Sequence, residues 1–328
     1  MKEEVFSEYL TECINEQASD LYILPKDSGY QLSYHSKLQL TILAEINRTE
    51  GLQMINFFKY RANMAVSEHR RPQLGSLKWA QLQTEMNLRL STVGDFNGEE
   101  SMVIRFIYPL NQLSHQELIV GQMDQLNQLG KKRGLLLFSG PMGSGKTTTM
   151  YQLARKYSQT QVVMTIEDPV EIEESNFIQL QVNQQADMDY DELLRVGLRH
   201  RPEVFLIGEI RDKKTAKMAV QAALSGHLVM ATVHAKNVYG VMQRMQQLGI
   251  EDHYLMQTIS GICYQRLITT TEERMTPLYD ILAEGELETV FKQINSYVGM
   301  TKMWGANLAK LVEDGKITKK TAESFKTG

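Results

Sequence analysis

Four short apolar segments alternate with helical segments in the second half of the chain, and this alternation limits the possible folds more than any other feature. The segments are "GLLLFSG", "QVVMTIEDP", "EVFLIGEI" and "HLVMATVHA". Each is rich in branched side chains and has the length of a buried strand. Strands that alternate with helices form a parallel sheet with helices on its faces. The sequence therefore predicts an α/β fold for this part.

The chain has 328 residues, which is enough for two domains. Its first third predicts a helix from Phe6 to about Gln17, strand-like segments, a helix over about 50–65, and a hairpin whose turn is Asn97-Gly98. We expect an N-terminal α+β domain at 1–108, a linker and helix at 109–133, an α/β core at 134–270 and a helical C-terminal region at 271–328.

Composition excludes several classes of protein. The chain is 42% hydrophobic and 23% charged with a net charge of -4, which is typical of a globular protein and gives no general attraction to nucleic acid. We therefore expect no direct nucleic-acid binding. Cys13 and Cys263 lie far apart and form no C-x-x-C pair, so we expect two small buried hydrophobic residues and no zinc site or disulfide. Because no apolar segment approaches the length of a membrane span, we expect a cytoplasmic protein.

The segment "GPMGSGKTTTM" at 140–150 matches the phosphate-binding pattern G-x-x-x-x-G-K-[ST] between a strand and a helix. Its glycines allow backbone N–H groups to converge on phosphates, and the start of the next helix adds its positive dipole end. Lys146 would reach the terminal phosphates and Thr147 would bind Mg²⁺. The predicted nucleotide-binding residues are Gly140, Pro141, Met142, Gly143, Ser144, Gly145, Lys146, Thr147 and Thr148.

Polar side chains stand at the predicted carboxyl ends of the other strands, where ligands bind in parallel sheets. A single acid there could equally be a helix N-cap or a solvated loop residue, and a single histidine could be structural. Because three strands carry acidic or polar residues at equivalent positions beyond their carboxyl ends, a shared site is the better interpretation. The residues are Glu167 and Asp168, Glu209, and Thr232 with His234, while His227 lies at the other end of the last strand.

Four segments in order resemble the Walker A, Asp-box, Walker B and His-box series of the secretion ATPases that power type II secretion and type IV pili. They are "GPMGSGKTTT", "TIEDPVE", "LRHRPEVFLIGEIRD" and "SGHLVMATVHAKN". "ASDLYILP" and "LRLSTVGDFNGEESMVIRFI" are similar to first-domain segments of the same family, so the resemblance covers about residues 10–270. It implies a RecA-like P-loop NTPase core with a parallel sheet, a small PAS-like α+β domain before it and short C-terminal helices.

The resemblance also implies roles for the acids. In the family the Walker B glutamate, here Glu209, activates the attacking water, and the Asp-box Glu167 helps to place Mg²⁺ and water. The reverse assignment stays open. The implied Mg²⁺ contacts are Thr147, Glu167 and Asp168, partly through water. Gly208 stands where many P-loop enzymes have a metal-binding aspartate, so Glu209 and Glu167 could share a metal-linked task.

Arginines and polar residues of the motifs receive further implied roles. The first-domain arginines of the family reach the nucleotide when that domain closes over the core, and they match Arg89 and Arg105. Core arginines near an active site or subunit contact match Arg195 and Arg199. For Arg211, with Asp212, an internal or intersubunit salt bridge is an alternative to catalysis. The implied sensors of the γ-phosphate are His227, His234 and Thr232.

Some features depart from the family pattern. Ser76 stands where the family usually has an arginine, and the four-cysteine zinc module of type II secretion members is missing after "QRL" at 265–267. The C-terminal element of the retraction motors is also missing. The short form without a zinc module most resembles the competence pseudopilus ATPases of Gram-positive bacteria.

The implied function is a homo-hexameric motor that hydrolyses ATP with Mg²⁺ to assemble a competence pilus for DNA uptake, or a related secretion system. Its implied partners are an inner-membrane platform protein and the pseudopilus machinery, at the cytoplasmic face of the membrane. Alternatives are a pilus retraction ATPase and a nucleotide-dependent switch or scaffold with incidental turnover. A kinase would need an acceptor-site domain, and a nucleic-acid translocase would need a basic channel.

Overall fold

A computed structural model describes residues 2–36, 39–81, 84–108, 117–183, 186–292 and 299–328. Contacts within the chain divide it into two compact units, Met1–Leu113 and Ser114–Gly328. Each unit has its own hydrophobic core.

The N-terminal unit is built on an antiparallel sheet. Its elements are α1 (Lys2–Asn15), β1 (Asp20–Lys26), β2 (Gly29–Ser36), β3 (Gln39–Ile46), α2 (Arg48–Arg61), β4 (Gln73–Gln81), β5 (Thr84–Gly94) and β6 (Glu100–Ile107). Among the described residues the sheet has six strands in the order β3-β2-β1-β6-β5-β4, and neighbouring strands are antiparallel. The predicted α+β content is confirmed, whereas strand β4 was not predicted.

Helices α1 and α2 pack against the sheet because apolar side chains alternate along its strands. In β6, Met102, Ile104 and Phe106 are buried whereas Arg105 is exposed. These buried residues join apolar side chains of α1 and α2 in one core cluster. Cys13 belongs to this cluster as a free thiol, as predicted, and burial raises its pKa to about 12.

A tight turn joins β5 to β6. The Asp95 carboxylate accepts hydrogen bonds from the backbone N–H groups of Asn97 and Glu99, both at 2.8 Å. Gly98 has a φ of 84°, which a residue without a Cβ adopts at little cost. The turn predicted at Asn97-Gly98 is confirmed, with the positive φ at the glycine.

The C-terminal unit is an α/β structure, as predicted. Its elements are α3 (Gln122–Lys131), β7 (Gly134–Ser139), α4 (Lys146–Tyr157), β8 (Val163–Glu167), β9 (Phe177–Gln181), α5 (Tyr190–His200), β10 (Val204–Ile207), α6 (Lys213–Leu224), β11 (Leu228–Thr232), α7 (Val238–Gln247), α8 (Asp252–Thr258), β12 (Ile259–Thr269), β13 (Met275–Ala283), α9 (Glu284–Lys292), α10 (Lys302–Glu313) and α11 (Lys319–Ser324). The described part of the sheet has the order β13-β12-β7-β11-β10-β8-β9. No helix in the described parts of either unit is long and apolar enough to cross a membrane.

The sheet is mixed, which corrects the prediction of a parallel sheet. Strands β7 to β12 pair in parallel, but β13 runs antiparallel to β12. Only a short turn separates β12 from β13, and a parallel connection would need a crossover of a dozen or more residues. Pro277 is tolerated in β13 because this strand lies at the sheet edge. The region 271–328 therefore contains a strand in addition to the predicted helices.

A buried ion pair joins α2 to β6. Lys59 Nζ lies 2.8 Å from Glu100 Oε1, and the two side chains are 0% and 1% exposed. The Thr92 hydroxyl donates to the same carboxylate, and His69 Nδ1 lies 2.8 Å from its other oxygen. Burial alone would raise the pKa of Glu100, but the hydrogen bonds from Lys59, Thr92 and His69 outweigh it and hold the pKa below its ordinary value.

Glu100→Gln should destabilise the protein by about 3–5 kcal/mol, because it leaves a buried ammonium group without its counter-charge. Since folding lowers the pKa of Glu100, its charge stabilises the fold above the unfolded-state pKa, and this stabilisation is lost as pH falls through the folded-state pKa. Denaturant unfolding at several pH values measures both effects. The control is Glu99→Gln, which breaks a partly exposed pair with Arg48 and should cost less than about 1 kcal/mol. Equal losses in the two variants would contradict the prediction.

Candidate functional site

Four neighbouring parallel strands end at the same edge of the C-terminal sheet. Their spatial order is β7-β11-β10-β8. The register pairs Phe138 with Thr232, and Ile207 with both Ala231 and Ile166. Because ligands bind beyond the carboxyl ends of parallel strands, this edge is the candidate site. The predicted residues that the structure brings there are the phosphate loop, Thr232, His234, Glu209 and Glu167.

The phosphate loop (residues 140–145) connects β7 to α4 and is shaped by its glycines. Gly140, Gly143 and Gly145 have φ values of 143°, 72° and 83°. A Cβ at Gly140 would lie 2.3 Å from the carbonyl oxygen of Gln265, so no larger residue fits there. The N-cap Gly145 provides no side-chain hydrogen bond to the first turn of α4. The first N–H groups of α4 are therefore suited to bind an anion.

The Lys146 ammonium group is folded back onto the phosphate loop. Its Nζ donates to the carbonyl oxygens of Gly140 and Pro141 at 2.9 and 2.8 Å. Burial lowers the pKa of Lys146, although the carboxylates of Glu171 and Glu209 oppose this effect. A bound phosphate chain would offer Lys146 charged acceptors, which form stronger hydrogen bonds than carbonyl oxygens do.

Glu167 ends β8 and is only 4% exposed. The Tyr151 hydroxyl, on α4, donates to Glu167 Oε1, and the Gln179 amide of β9 donates to the Tyr151 hydroxyl at 2.7 Å. Burial raises the pKa of Glu167 because it removes water from the charged form. The next residue, Asp168, is exposed. The two acids of this motif therefore lie in opposite surroundings.

Glu209 is held between His234 and Arg211. The chain around it is fixed because Gly208 N donates to a carbonyl of β8 and Ile210 N donates to a carbonyl of β11, at 2.8 and 2.9 Å. The Glu209 side chain is 16% exposed, and its Oε2 lies 3.2 Å from His234 Nε2. Arg211 Nη2 forms an ion pair with Oε1. The internal salt bridge considered for Arg211 is thus present.

Thr232 and His227 lie at opposite ends of β11. The Thr232 hydroxyl donates to the carbonyl oxygen of Gly208, beside Glu209. His227 precedes β11, and its Nδ1 lies 2.8 Å from the Ala222 carbonyl oxygen at the end of α6. Within one chain, Thr232 therefore joins the site, whereas His227 lies at the opposite edge of the sheet.

The remaining core residues of the motifs lie on helices. Arg195 and Arg199 are exposed on α5, and Arg195 pairs with Glu192 at 2.6 Å. Asp212 is the N-cap of α6, where its carboxylate accepts hydrogen bonds from the N–H groups of Lys214 and Thr215. Asp212 thus has the capping role that was the alternative for a single acid at a strand end.

Arg89 and Arg105 are direct cross-strand partners in the N-terminal sheet. Arg105 Nε lies 2.8 Å from Asp20 Oδ1, and Ser76 of β4 pairs with Arg89 on the other side. Cross-strand partners project to the same face of a sheet. Asp20, Arg105, Arg89 and Ser76 therefore form one row of polar side chains across the sheet. Ser76 lies at the end of this row, next to Arg89.

Three side chains at the candidate site were not predicted. Tyr151 holds Glu167, and Gln265 of β12 donates its amide to the Ser144 carbonyl oxygen. The Tyr190 hydroxyl is buried without a hydrogen-bond partner in the described part of the chain, and burial, followed by the charge of Glu209, raises its pKa. Each of the three stands inside a helix or strand, where an aromatic or amide side chain is usually a packing residue. Sequence patterns do not distinguish such residues from site residues.

The site suits a Mg²⁺ ion that arrives with a nucleotide. Among the described residues, no group of three or more His, Cys, Asp or Glu side chains could hold a metal ion. Mg²⁺ bound to a nucleotide needs only one or two protein oxygens besides phosphates and water. The half-buried Thr147 in the first turn of α4 and the exposed Asp168 offer such oxygens. One oxygen of Glu167 already accepts a hydrogen bond from Tyr151.

The family model described as "Type II/IV secretion system protein" matches residues 1–300. The chain belongs to this family. Competence protein ComGA of Streptococcus pneumoniae is 36% identical over 326 residues, which cover 99% of both chains. Competence protein ComGA of Bacillus subtilis is 36% identical over 81% of this chain and 76% of the relative. The resemblance predicted from the motifs is confirmed.

Another relative is longer than this chain, and two solved structures share its fold. Type II secretion system protein E of Pseudomonas aeruginosa is 34% identical over 79% of this chain but only 52% of its own length. The ATPase DotB of Legionella pneumophila has a TM-score of 0.77 at 20% identity, covering 98% and 95% of the two chains. The pilus retraction motor PilT with bound ADP has a TM-score of 0.70 at 22% identity, covering 96% and 95%. At these identities the two structures support the fold alone.

Gly208 has little room for a side chain, so Gly208→Ala should lower stability by about 1–3 kcal/mol, the usual cost of overpacking. A Cβ at Gly208 would lie 3.1 Å from the Tyr190 hydroxyl and 3.3 Å from Glu167 Cα. Thermal unfolding measures the change. The matched control is Gly285→Ala in α9, where a Cβ would meet no described atom within 4 Å; it should be neutral or stabilise by about 0.4–1 kcal/mol. Unchanged unfolding of Gly208→Ala would show that this packing is looser than the structure indicates.

Proposed function

We propose that the chain is a cytoplasmic motor ATPase that hydrolyses ATP to drive assembly of a type IV competence pilus for DNA uptake, or of a related secretion system. The observation that carries this proposal is the meeting of the phosphate loop, Glu167, Glu209 and His234 at one sheet edge. The match to a competence protein ComGA over 99% of both chains supports the competence assignment. Family membership supports ATP hydrolysis.

We also propose a fold for each of the two units. The C-terminal unit is a RecA-like P-loop core, and the unit before it is a PAS-like domain. We propose the same four regions as those predicted from the sequence: the N-terminal domain at 1–108, the linker and helix at 109–133, the core at 134–270 and the C-terminal region at 271–328. The fold likeness to DotB and PilT supports it.

Hydrolysis of ATP needs neutralisation of charge at the γ-phosphate, a positioned water and a base within reach of that water. The backbone N–H groups of residues 140–148, apart from Pro141, which has none, bind the phosphates together with the Lys146 ammonium group. Thr147, assisted by Glu167 and Asp168, would hold Mg²⁺. When bound, Mg²⁺ supplies positive charge to the phosphate oxygens. These groups orient the γ-phosphate toward Glu209.

Glu209 is the better candidate for the base. It is 16% exposed, whereas Glu167 is 4% exposed and accepts a hydrogen bond from Tyr151. A water molecule therefore reaches Glu209 more easily. Glu209 accepts the proton of the attacking water, His234 orients its carboxylate, and Arg211 must release Oε1 for this role. Glu167 orients the water and the metal.

The other proposed roles concern coupling between domains and subunits. Arg89 and Arg105 stabilise phosphate charge when the N-terminal domain closes, and Arg195 and Arg199 serve a subunit contact in a homo-hexamer. His234 and Thr232 sense the γ-phosphate, whereas His227 lies at the opposite end of β11 and is not given this role. The partners are an inner-membrane platform protein and the pseudopilus machinery, and direct binding of nucleic acid is not part of the proposal.

Lys146→Ala should abolish ATP turnover while the protein stays folded, because the phosphates lose their only loop-borne positive side chain in the motif. Phosphate release and circular dichroism measure turnover and folding. Lys156→Ala is the matched control on the same helix, since Lys156 pairs with Asp124 at the surface. Normal turnover in a folded Lys146→Ala variant would refute the site assignment.

Glu209→Gln should bind ATP but slow hydrolysis by roughly 10²- to 10⁴-fold, the usual contribution of a general base. Single-turnover hydrolysis and nucleotide titration separate the two effects. Glu167→Gln, the matched variant, should lose less turnover, and a larger loss would reverse the two roles. If the wild-type protein binds ATP without turning it over, the chain is a nucleotide-dependent switch or scaffold.

A further inference from the structure

The hairpin β12–β13 lies directly behind the phosphate loop. Gln265 of β12 and Tyr279 of β13 are direct cross-strand partners. Both side chains are 1% exposed. Both contact the phosphate-binding segment, although neither was assigned to the site from the sequence. This hairpin is the last part of the sheet before the C-terminal helices.

Gln265 contacts the loop with its side chain and its backbone. Its Nε2 donates to the Ser144 carbonyl oxygen at 2.6 Å. A Cβ at Gly145 would lie 3.0 Å from this Nε2, and a Cβ at Gly140 would lie 2.3 Å from the Gln265 carbonyl oxygen. Gln265 therefore forms the wall against which both ends of the loop are packed.

The hydrogen bond to Ser144 fixes the direction of a backbone N–H group. In a planar trans peptide the C=O and the following N–H point in opposite directions. Because the Ser144 carbonyl points to Gln265, the N–H of Gly145 points away from the hairpin. An N–H at this position of the loop is one of those that a phosphate would bind.

Tyr279 braces the helix that follows the loop. Its hydroxyl lies 3.3 Å from the hydroxyl of Thr149 in the first turn of α4. The Tyr279 backbone is in turn held by the side chain of Gln122, which donates to its carbonyl at 2.7 Å and accepts from its N–H at 3.3 Å. The hairpin thus contacts the phosphate-binding segment at two points, one on each side of Lys146.

The need for a stable core does not explain a glutamine at position 265. Gln265 Oε1 and Ser144 Oγ are both buried without a hydrogen-bond partner among the described residues. A buried polar atom without a partner costs free energy that an apolar side chain of the same length would avoid. What glutamine adds over such a side chain is the donor to Ser144.

We propose that Gln265 and Tyr279 are positioning residues that set the phosphate loop in its phosphate-binding shape. This inference rests on the proposed function, since it concerns the same nucleotide site. Gln265 orients the Ser144–Gly145 peptide, and Tyr279 orients the first turn of α4. Neither residue needs to touch the nucleotide.

Asp280 supplies the matched control within the same hairpin. It follows Tyr279, and its carboxylate accepts hydrogen bonds from the N–H and hydroxyl of Thr301, the N-cap of α10. Asp280→Asn therefore loosens the hairpin on its C-terminal helix side and leaves both contacts with the phosphate-binding segment in place.

Gln265→Met keeps the length of the side chain and removes the donor. It should raise the Kd for ATP about three- to tenfold, the change expected for one hydrogen bond, and raise the Kd for inorganic tripolyphosphate by the same factor. Tyr279→Phe should raise both Kd values by a smaller factor, and Asp280→Asn should leave both Kd values unchanged. Calorimetric titration measures binding, and thermal unfolding of the free proteins measures folding.

Equal effects on ATP and tripolyphosphate identify the phosphate-binding part of the site, and not the part that binds the base or ribose, as the affected part; unchanged thermal unfolding excludes a general loss of structure. The inference is overturned if folded Gln265→Met binds ATP like the wild type, if only ATP is weakened, or if Asp280→Asn weakens both ligands as strongly. If Gln265→Met folds poorly, Tyr279→Phe decides, and wild-type affinity for both ligands overturns the inference. Failure of the wild-type protein to bind ATP would instead refute the proposed function.

Discussion

The carboxyl ends of parallel strands must meet at one edge of a sheet, and the candidate site depends on this constraint. Glu209 lies two residues beyond β10, yet its position is fixed, because hydrogen bonds from Gly208 and Ile210 join the chain to β8 and β11. The strands on both sides therefore position it, together with the hydroxyl of Thr232. The phosphate loop follows β7 by the same rule. Changes in the sheet would thus move every group of the site together.

Burial gives the two glutamates of the site different chemistry. Glu167 is enclosed by α4 and β9, and its raised pKa reflects the cost of a charge away from water. Tyr151 reduces that cost with one hydrogen bond, and Gln179 holds Tyr151 in turn. Glu209 lies closer to solvent and is paired with ionisable side chains. A buried acid suits orientation of a ligand, whereas an accessible one suits proton transfer.

The sequence predicts those features that depend on local pattern. Branched apolar segments indicated β7, β8, β10 and β11 but not β9 or β12, and the G-x-x-x-x-G-K-[ST] spacing indicated the loop between β7 and α4. The strand β13 was missed because it carries polar residues and a proline. The proline is tolerated because the strand lies at the sheet edge, and the buried Asp280 is satisfied by hydrogen bonds from Thr301. Tyr151 and Gln265 were missed because their contacts, to Glu167 and Ser144, join separate elements that lie 16 and 121 residues apart in sequence. No local pattern records such contacts.

The charged side chains of the site already form hydrogen bonds or ion pairs with other groups of the same chain. Lys146 donates to two carbonyl oxygens of the phosphate loop, and Glu209 forms an ion pair with Arg211. A triphosphate would offer Lys146 charged acceptors that compete with those carbonyl contacts, and its negative charge would compete with Glu209 for Arg211. Because each exchange removes one pairing as it forms another, net binding energy is smaller than the new contacts alone would give.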